Sequence, residues 1–427
     1  MSTPFVCDVC LKPFDRKAGL AQHQKRKTPC KAAVVTVATV ATVATVATVA
    51  TNEVIHPEPI TATITATIPP APFRPYKTAI SLFSGCGGDT LGLTQAGYHV
   101  RAFSELKPTM IKTHLANFPD SELITSIDGK HTNISKIEDS QFAKYRDQIN
   151  LIFAGFPCQG FSKAGKKQAT DPRNQMYLQF VRAIKQIRPL YIVGENVQGL
   201  ESMKSGPEPT DPPMLNLIKA AFEEIGYTIT YEVLEATQFG VPQKRKRILL
   251  IGWDTAKVTA FKPTAFWNRV DNIKEPLPQI RSFIQPSLDN AHPLTTATIP
   301  PDFQRHALSV PLDTPVTGKP HPYVVLKAND GLLSCAKRDS PIHSEVMDLT
   351  APSKTIICTY GHQPRLLVGL QKGTESFVRT LTPDELKQIQ GFPVDYKLMG
   401  TVSEQVIQVG NAVPPPMIKA IAESLPH

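Results

Sequence analysis

Cys158 lies in the run Gly155-Phe156-Pro157-Cys158-Gln159-Gly160-Phe161-Ser162, directly after the apolar stretch Leu151 to Ala154. That stretch reads as a strand, which places the thiol at a strand's carboxyl end, where open α/β sheets put their chemistry. A thiolate is the strongest nucleophile a side chain offers near neutral pH. Read alone, a Pro-Cys dipeptide more often marks a small buried apolar residue. Two other constellations would serve such a nucleophile. Glu195-Asn196-Val197 follows the apolar run 191–194, so its carboxyl shares the strand edge with Cys158. Gln243, Arg245 and Arg247 alternate into the run 247–252 and are expected on one face. Three such groups are costly unless they meet anions or acceptors. A solvated basic turn is the plainer reading of that segment.

The elements that must position these residues begin near Tyr76. Residues 79–83 read as an apolar strand, followed by Ser84-Gly85-Cys86-Gly87-Gly88 and a helix over 89–96 that Gly97 stops. A turn this rich in glycine lets backbone approach a cofactor. Glu105 follows the next strand, 99–103, about 20 residues after the first glycine, a spacing suited to accepting hydrogen bonds from ribose hydroxyls. A solvated surface glutamate is the other reading. Helices are expected at 107–117, Met176–Ile187 and 214–225, alternating with strands at Leu151–Ala154, 191–194 and 247–252. Such alternation predicts an α/β fold with a doubly wound, Rossmann-like, mostly parallel sheet. The periodicity fades between 257 and 373, where prolines abound and a separate loop-rich domain is expected. A helix over 383–390 and a segment over 404–418 close the chain.

The chain has 427 residues and a formal net charge of +9. Seven basic against two acidic side chains in residues 1–33 give that stretch +5. This asymmetry suits a polyanionic partner such as nucleic acid. Seven cysteines, three of them in the first 30 residues, do not form a secreted disulfide pattern, and no signal peptide precedes them. An intracellular location is expected, in cytoplasm or nucleus. The uncharged run 34–51 falls short of the ~20 apolar residues of a membrane span. Its Thr-Val-Ala repeat, period three, fits neither helix nor strand. It reads as a tether that Pro69-Pro70-Ala71-Pro72 then stiffens.

In order along the chain come Phe83-x-Gly85-x-Gly87-Gly88, Pro157-Cys158-Gln159, Glu195-Asn196-Val197, Gln243-x-Arg245-x-Arg247, Arg379, Gln390-Gly391-Phe392-Pro393 and Gln408-x-Gly410-Asn411-x-Val413. This series resembles the cytosine-C5 DNA methyltransferases that use S-adenosylmethionine. The likeness runs from about 77 to 424 and is interrupted at 255–375, where that family keeps its target-recognition domain. It implies Cys158 as the nucleophile toward cytosine C6, with Glu195 at N3. Arg247 would sit at O2, and Arg245 on the cytosine or a flanking phosphate. It also implies Phe83, Gly85 and Gly87 as methionine and adenine contacts, Glu105 as the ribose ligand and Asn411 as the closing wall. Residues 159–173 resemble the family's active-site loop. The family's adenine-contacting Asp has Asn133 as its counterpart, with Asp128 the alternative.

Phe5-x-Cys7-x-x-Cys10, Phe14, Leu20 and His23 match a ββα zinc finger. The fourth ligand departs: Cys30 stands where a His is usual, after Pro29. Cys7, Cys10, His23 and Cys30 are the expected Zn²⁺ ligands. The domains expected are then a finger at 1–33, a linker at 34–76, the catalytic domain at 77–254, target recognition at 255–375 and a return to the catalytic domain at 376–427. The partner is DNA, bound by a monomer and without a membrane, as in restriction-modification systems. A transfer-RNA methyltransferase of the same family and a non-catalytic DNA-binding protein are the competing readings.

Overall fold

The computed structural model describes residues 5–6, 13–14, 77–157, 175–206, 208, 210–296, 298–300, 302–322, 324–326, 333–335 and 343–426. The chain divides into two units, Met1–Ala71 and Pro72–His427. In the first, Phe5–Val6 and Pro13–Phe14 form an antiparallel ladder with Phe5 opposite Phe14. The four expected zinc ligands lie outside the described residues.

The second unit opens with β1 (Lys77–Leu82), α1 (Gly88–Gln95), β2 (Tyr98–Ser104), α2 (Pro108–Asn117) and β3 (Glu122–Leu123). It continues with β4 (Leu151–Ala154), α3 (Met176–Ile187), β5 (Tyr191–Val197), α4 (Met214–Glu224), β6 (Tyr227–Glu235) and β7 (Lys246–Asp254). Their order in the sheet is β3-β2-β1-β4-β5-β7-β6. The first five run parallel, while β7 inserts antiparallel between β5 and β6. This is the doubly wound α/β sheet expected.

Side chains alternate across these strands, and both faces are apolar because both are covered. Ile80, Leu82, Ile152, Ile192, Ile248 and Leu250 face a core completed by α3 and α4 through Phe180, Ile184, Ile218 and Phe222. Ala79, Leu151, Phe153, Val193, Leu249 and Ile251 face the other core. Each large apolar side chain fully buried here is worth roughly 1.5–3 kcal/mol.

Residues 255–375 depart from expectation in two ways. They contain a helix, α5 (Pro263–Asp271), whose Phe266, Trp267 and Val270 are buried in the second of those cores. It belongs to the first sheet. Its single short apolar face, opened by Pro263, is too brief to show as periodicity among so many prolines. The remainder builds a second sheet from β8 (His292–Leu294), β9 (Leu308–Ser309), β10 (Val324–Leu326), β11 (Leu333–Cys335), β12 (His343–Val346), β13 (Leu366–Lys372) and β14 (Glu375–Thr380). Six of them run β8-β14-β13-β12-β11-β10, and β9 joins β13 in parallel. The sheet therefore extends through Thr380, past the expected boundary at 375.

Three helices return the chain: α6 (Pro383–Ile389), α7 (Val402–Asn411) and α8 (Pro415–Ser424). The segment 404–418 spans parts of two helices, because Pro414, Pro415 and Pro416 cannot continue the first. Thr382–Glu385 and Thr401–Glu404 close capping boxes that fix the starts of α6 and α7. Arg379 pairs bidentately with Glu385 at 2.9 and 2.7 Å and donates to the carbonyls of Ser287 and Gln285. The pair is almost fully buried, and it pins β14 to α6. Among the described residues, no helix is long and apolar enough to cross a membrane.

Candidate active site

The carboxyl ends of β1, β4 and β5 meet at Gly155. A Cβ placed on it would lie 3.6 Å from Glu195 Oε2 and 4.0 Å from the Phe83 carbonyl oxygen. The glycine-rich turn, the Pro-Cys segment and the Glu-Asn-Val segment thus converge on one residue without a side chain. Cys158 lies three positions further on, outside the described residues. Asn196 steers that segment: its Nδ2 donates to Phe156 O at 3.1 Å, and its Oδ1 accepts from Val197 N at 2.9 Å. Asn196 was visible in the sequence only as a neighbour of Glu195. Its burial within a strand end is what gives it this role.

Glu195 is held by Arg247, whose Nε lies 2.7 Å from Oε1. The two sit diagonally across the antiparallel β5–β7 ladder, in which Leu249 faces Glu195 and Arg247 faces Val197. Both side chains keep some exposure, 14% and 13%, so the pair borders an opening rather than a sealed core.

Arg245 does not join them, contrary to its expected place on the cytosine or a phosphate. It is 1% exposed, and its guanidinium donates to the carbonyls of Ile356 (3.1 Å), Gly410 (3.2 Å) and Ala412 (2.9 Å). Gln243 is likewise buried, donating to Gln390 Oε1 and accepting from Ile356 N. The alternation of 243, 245 and 247 predicted one shared face. A short parallel pairing of Gln243–Lys244 with Ser353–Lys354 precedes β7, so the first two side chains enter a seam with the returning chain.

The glycine-rich turn is built on backbone strain. Phe83, Gly85 and Gly87 all have positive φ, 56°, 57° and 86°. Such a conformation is a genuine outlier for a bulky residue like Phe83 and marks a constrained turn. A Cβ on Gly85 would meet nothing within 4 Å, so that face opens to space a ligand can fill. At Gly87 the same atom would collide with Phe118 and the Tyr396 hydroxyl, both 2.9 Å away, so this glycine serves packing. Glu105 accepts from Gly85 N (2.8 Å), Leu106 N (2.8 Å) and Lys107 N (2.9 Å), which fixes its carboxylate at the rim of the turn. Leu106 beside it is 59% exposed, an apolar surface next to the opening. Asn411 ends α7 with its side chain exposed. An open glycine face, a fixed carboxylate and an exposed apolar wall fit a nucleoside-bearing cofactor.

Asn133 and Asp128 both have local partners. Asn133 Oδ1 accepts from Ser135 N and Oγ, whereas Asp128 accepts from Ser126 Oγ and Lys130 N. The hydrogen bond from Ser126, with Lys130 beside it, holds the Asp128 carboxyl well below the usual range.

Sequence reading missed the layer beneath the turn. Asp89 is buried and accepts from Ser81 and Ser84, and burial pushes its carboxyl up to about 7. Ser104 Oγ accepts from Phe83 N at 3.2 Å. The available signal was polar residues, Ser81 and Ser104, inside otherwise apolar strands. His114, which had no assigned role, is buried against Phe103 with Nε2 3.0 Å from Thr90 Oγ1. Burial lowers its pKa to about 3. Among the described residues no cluster of His, Cys, Asp and Glu is arranged to hold a metal.

Comparison with known proteins agrees with this geometry. Residues 77–427 match the model of the C-5 cytosine-specific DNA methylases. The Type II methyltransferase M1.HphI of Haemophilus parahaemolyticus is 30% identical over 82% of this chain and 86% of its own. The Type II methyltransferase M.Eco47II of Escherichia coli is 29% identical over 82% and 79%. In fold, the chain resembles the crystal structure of a putative prophage-encoded DNA modification methyltransferase from E. coli, with a TM-score of 0.53 and 21% identity over 81% of this chain and 97% of that one. The chain therefore belongs to the C-5 cytosine-specific DNA methylase family, whose methyl donor is S-adenosylmethionine.

Proposed function

We propose that this protein is a DNA (cytosine-5-)-methyltransferase acting through a covalent bond between Cys158 and cytosine C6. The observation that carries the proposal is the convergence at Gly155, which puts the backbone leading to Cys158 beside both the Glu195 carboxylate and the cofactor turn. Cytosine C5 is a poor nucleophile until a group adds at C6. Cys158 supplies that group as a thiolate. Glu195 engages N3, drawing electron density from C6 as the sulfur adds. Arg247 orients Glu195 through their ion pair and stabilises charge at O2. S-adenosylmethionine, when bound, supplies the electrophilic methyl group that C5 takes. Loss of the C5 proton then expels the Cys158 thiolate and restores the aromatic ring. In a stacked, paired duplex N3 is held by its partner base and the ring faces at C5 and C6 are covered, so the base must be flipped out.

Phe83 and Gly85 would line the methionine and adenine, Glu105 the ribose, and Asn411 the outer wall. The loops of the second sheet would read the target site. Cys7, Cys10, His23 and Cys30 would hold a structural Zn²⁺ in the amino-terminal finger, whose net +5 would add DNA affinity. The protein would act as a monomer on DNA inside the cell.

The direct test is methylation of duplex DNA and of transfer RNA side by side, with bisulfite sequencing of the DNA product. Conversion-resistant cytosines at one recurring sequence are expected. Methylation confined to transfer RNA would overturn the substrate assignment.

A further inference from the structure

Three segments distant in sequence meet at the buried guanidinium of Arg245. Its Nη2 reaches the carbonyls of Gly410 and Ala412, which flank Asn411 at the end of α7, while Nη1 reaches Ile356. Carbonyls at a helix C-terminus lack intrahelical partners and carry the negative end of the helix dipole, so a cation is the natural cap. Gln390 Nε2 adds a second donor to Ala412 O at 2.6 Å, and Gln243 joins Gln390 to Ile356. The seam is tight as well as polar. A Cβ on Gly410 would lie 2.4 Å from Cys358 N, so the backbone at 357–358 touches the helix end directly. Burial and the neighbouring Arg247 both oppose the charge on Arg245, while the Glu195 carboxylate favours it. A buried guanidinium is an expensive fastener, because a buried ion is desolvated whatever it holds.

We propose that Arg245 is a positioning residue for the cofactor wall: it caps α7 to fix Asn411, and through Ile356 it ties that wall to the connection between β12 and β13 of the second sheet. It acts through backbone and touches neither cytosine nor phosphate. The inference rests on reading Asn411 as a cofactor contact, and its test separates the two.

Wild-type protein, Arg245→Met and Arg245→Lys are titrated with S-adenosylmethionine by calorimetry without DNA and separately with duplex DNA, alongside thermal melting. Met keeps the length and removes every donor. Losing a charged hydrogen-bond cap should raise the dissociation constant by ~10-fold or more. Lys keeps the charge but cannot span three carbonyls, and should raise it by a smaller factor, about threefold. If the Met variant does not fold, the Lys variant decides. A folded variant that melts earlier yet binds S-adenosylmethionine like wild type overturns the proposal, leaving only a structural staple. Unchanged cofactor affinity with lost DNA binding also overturns it, and restores a phosphate or base contact. Failure of the wild type to bind S-adenosylmethionine sinks the cofactor reading first, and this inference with it.

Discussion

In the first sheet, strands between Lys77 and Asp254 are buried on both faces, and their carboxyl ends deliver Phe83, Gly155 and Glu195 to one place. The second sheet, between His292 and Thr380, has a smaller core and short strands, several of only two or three residues. Long connections such as 310–322 and 347–365 leave it. A sheet covered on both sides holds atoms in fixed relation, which suits bond making. A sheet that ends in long loops offers variable surface, which suits recognition. The two meet through the buried polar contacts of the Arg245 clamp, whose directional bonds set an orientation that apolar contact alone would leave free.

If chemistry resides in the first sheet, its variants should lose turnover and keep the target site. Cys158→Ala should lower turnover on the order of 10⁴-fold or more, since no other group replaces a covalent nucleophile. DNA carrying 5-fluorocytosine at the target should trap wild type as a covalent adduct visible on a denaturing gel. An adduct with Cys158→Ala would move the nucleophile elsewhere. Glu195→Gln should slow methyl transfer by about 10²-fold, the contribution of a positioned acid, with S-adenosylmethionine affinity little changed. Near-normal turnover would mean another group activates the ring.

Exchange of the recognition region sharpens the comparison further. Replacing 287–364 with a relative's equivalent spares α5, β13 and β14 and should transfer that relative's target site, read by bisulfite sequencing. Replacing all of 255–375 removes Phe266, Trp267 and Val270 from the first sheet's core and should yield insoluble protein. An active 287–364 chimaera that keeps the original site would place recognition outside the second sheet.

Asp89 offers a smaller, pH-dependent contrast. Burial raises its folded-state value from 3.8 to about 7, so the folded protein holds that proton more tightly than the unfolded chain does. The resulting stability is complete below pH 3.8 and is lost as pH rises through about 7. Its size is at most about 4 kcal/mol. Denaturant melts of wild type and Asp89→Asn from pH 5 to 8 should show a falling slope only in wild type, and parallel curves would contradict the assignment. The smallest effect is expected from deleting residues 1–70. Turnover and target site should persist, while DNA affinity weakens most at low salt. Loss of methylation at saturating DNA would make that region part of the catalytic assembly.

What the sequence made legible follows from burial. Leu151–Ala154 and Met176–Ile187 coincide with their expected bounds, because a fully apolar strand and a one-faced helix leave no competing pattern. The elements of the second sheet escaped notice because short strands with a small core carry too few periods to register. At the site, Glu105 bonds to Gly85 two residues from Phe83, and Glu195 pairs with Arg247, so the structure brings together motifs far apart in the sequence. Arg245 shows the limit of that reading. Alternation along a strand reveals which residues share a face, but a break in the ladder decides what the face meets, and that break was set by Ser353 and Lys354 more than 100 residues away.

Gly92 in α1 lies so close to α8 that a Cβ there would fall 2.5 Å from the Pro415 carbonyl. The cover of the glycine-rich turn is thus made by residues that leave the ribosome roughly 330 positions after the turn itself. At 5–20 residues per second, that interval is on the order of half a minute. Throughout it, the turn at Phe83 to Gly88 lacks the helix that braces it. A nascent chain that already carries Glu195 and Arg247 would still lack that brace. Activity should therefore switch on late in synthesis, so that DNA meets a finished enzyme rather than a half-built one.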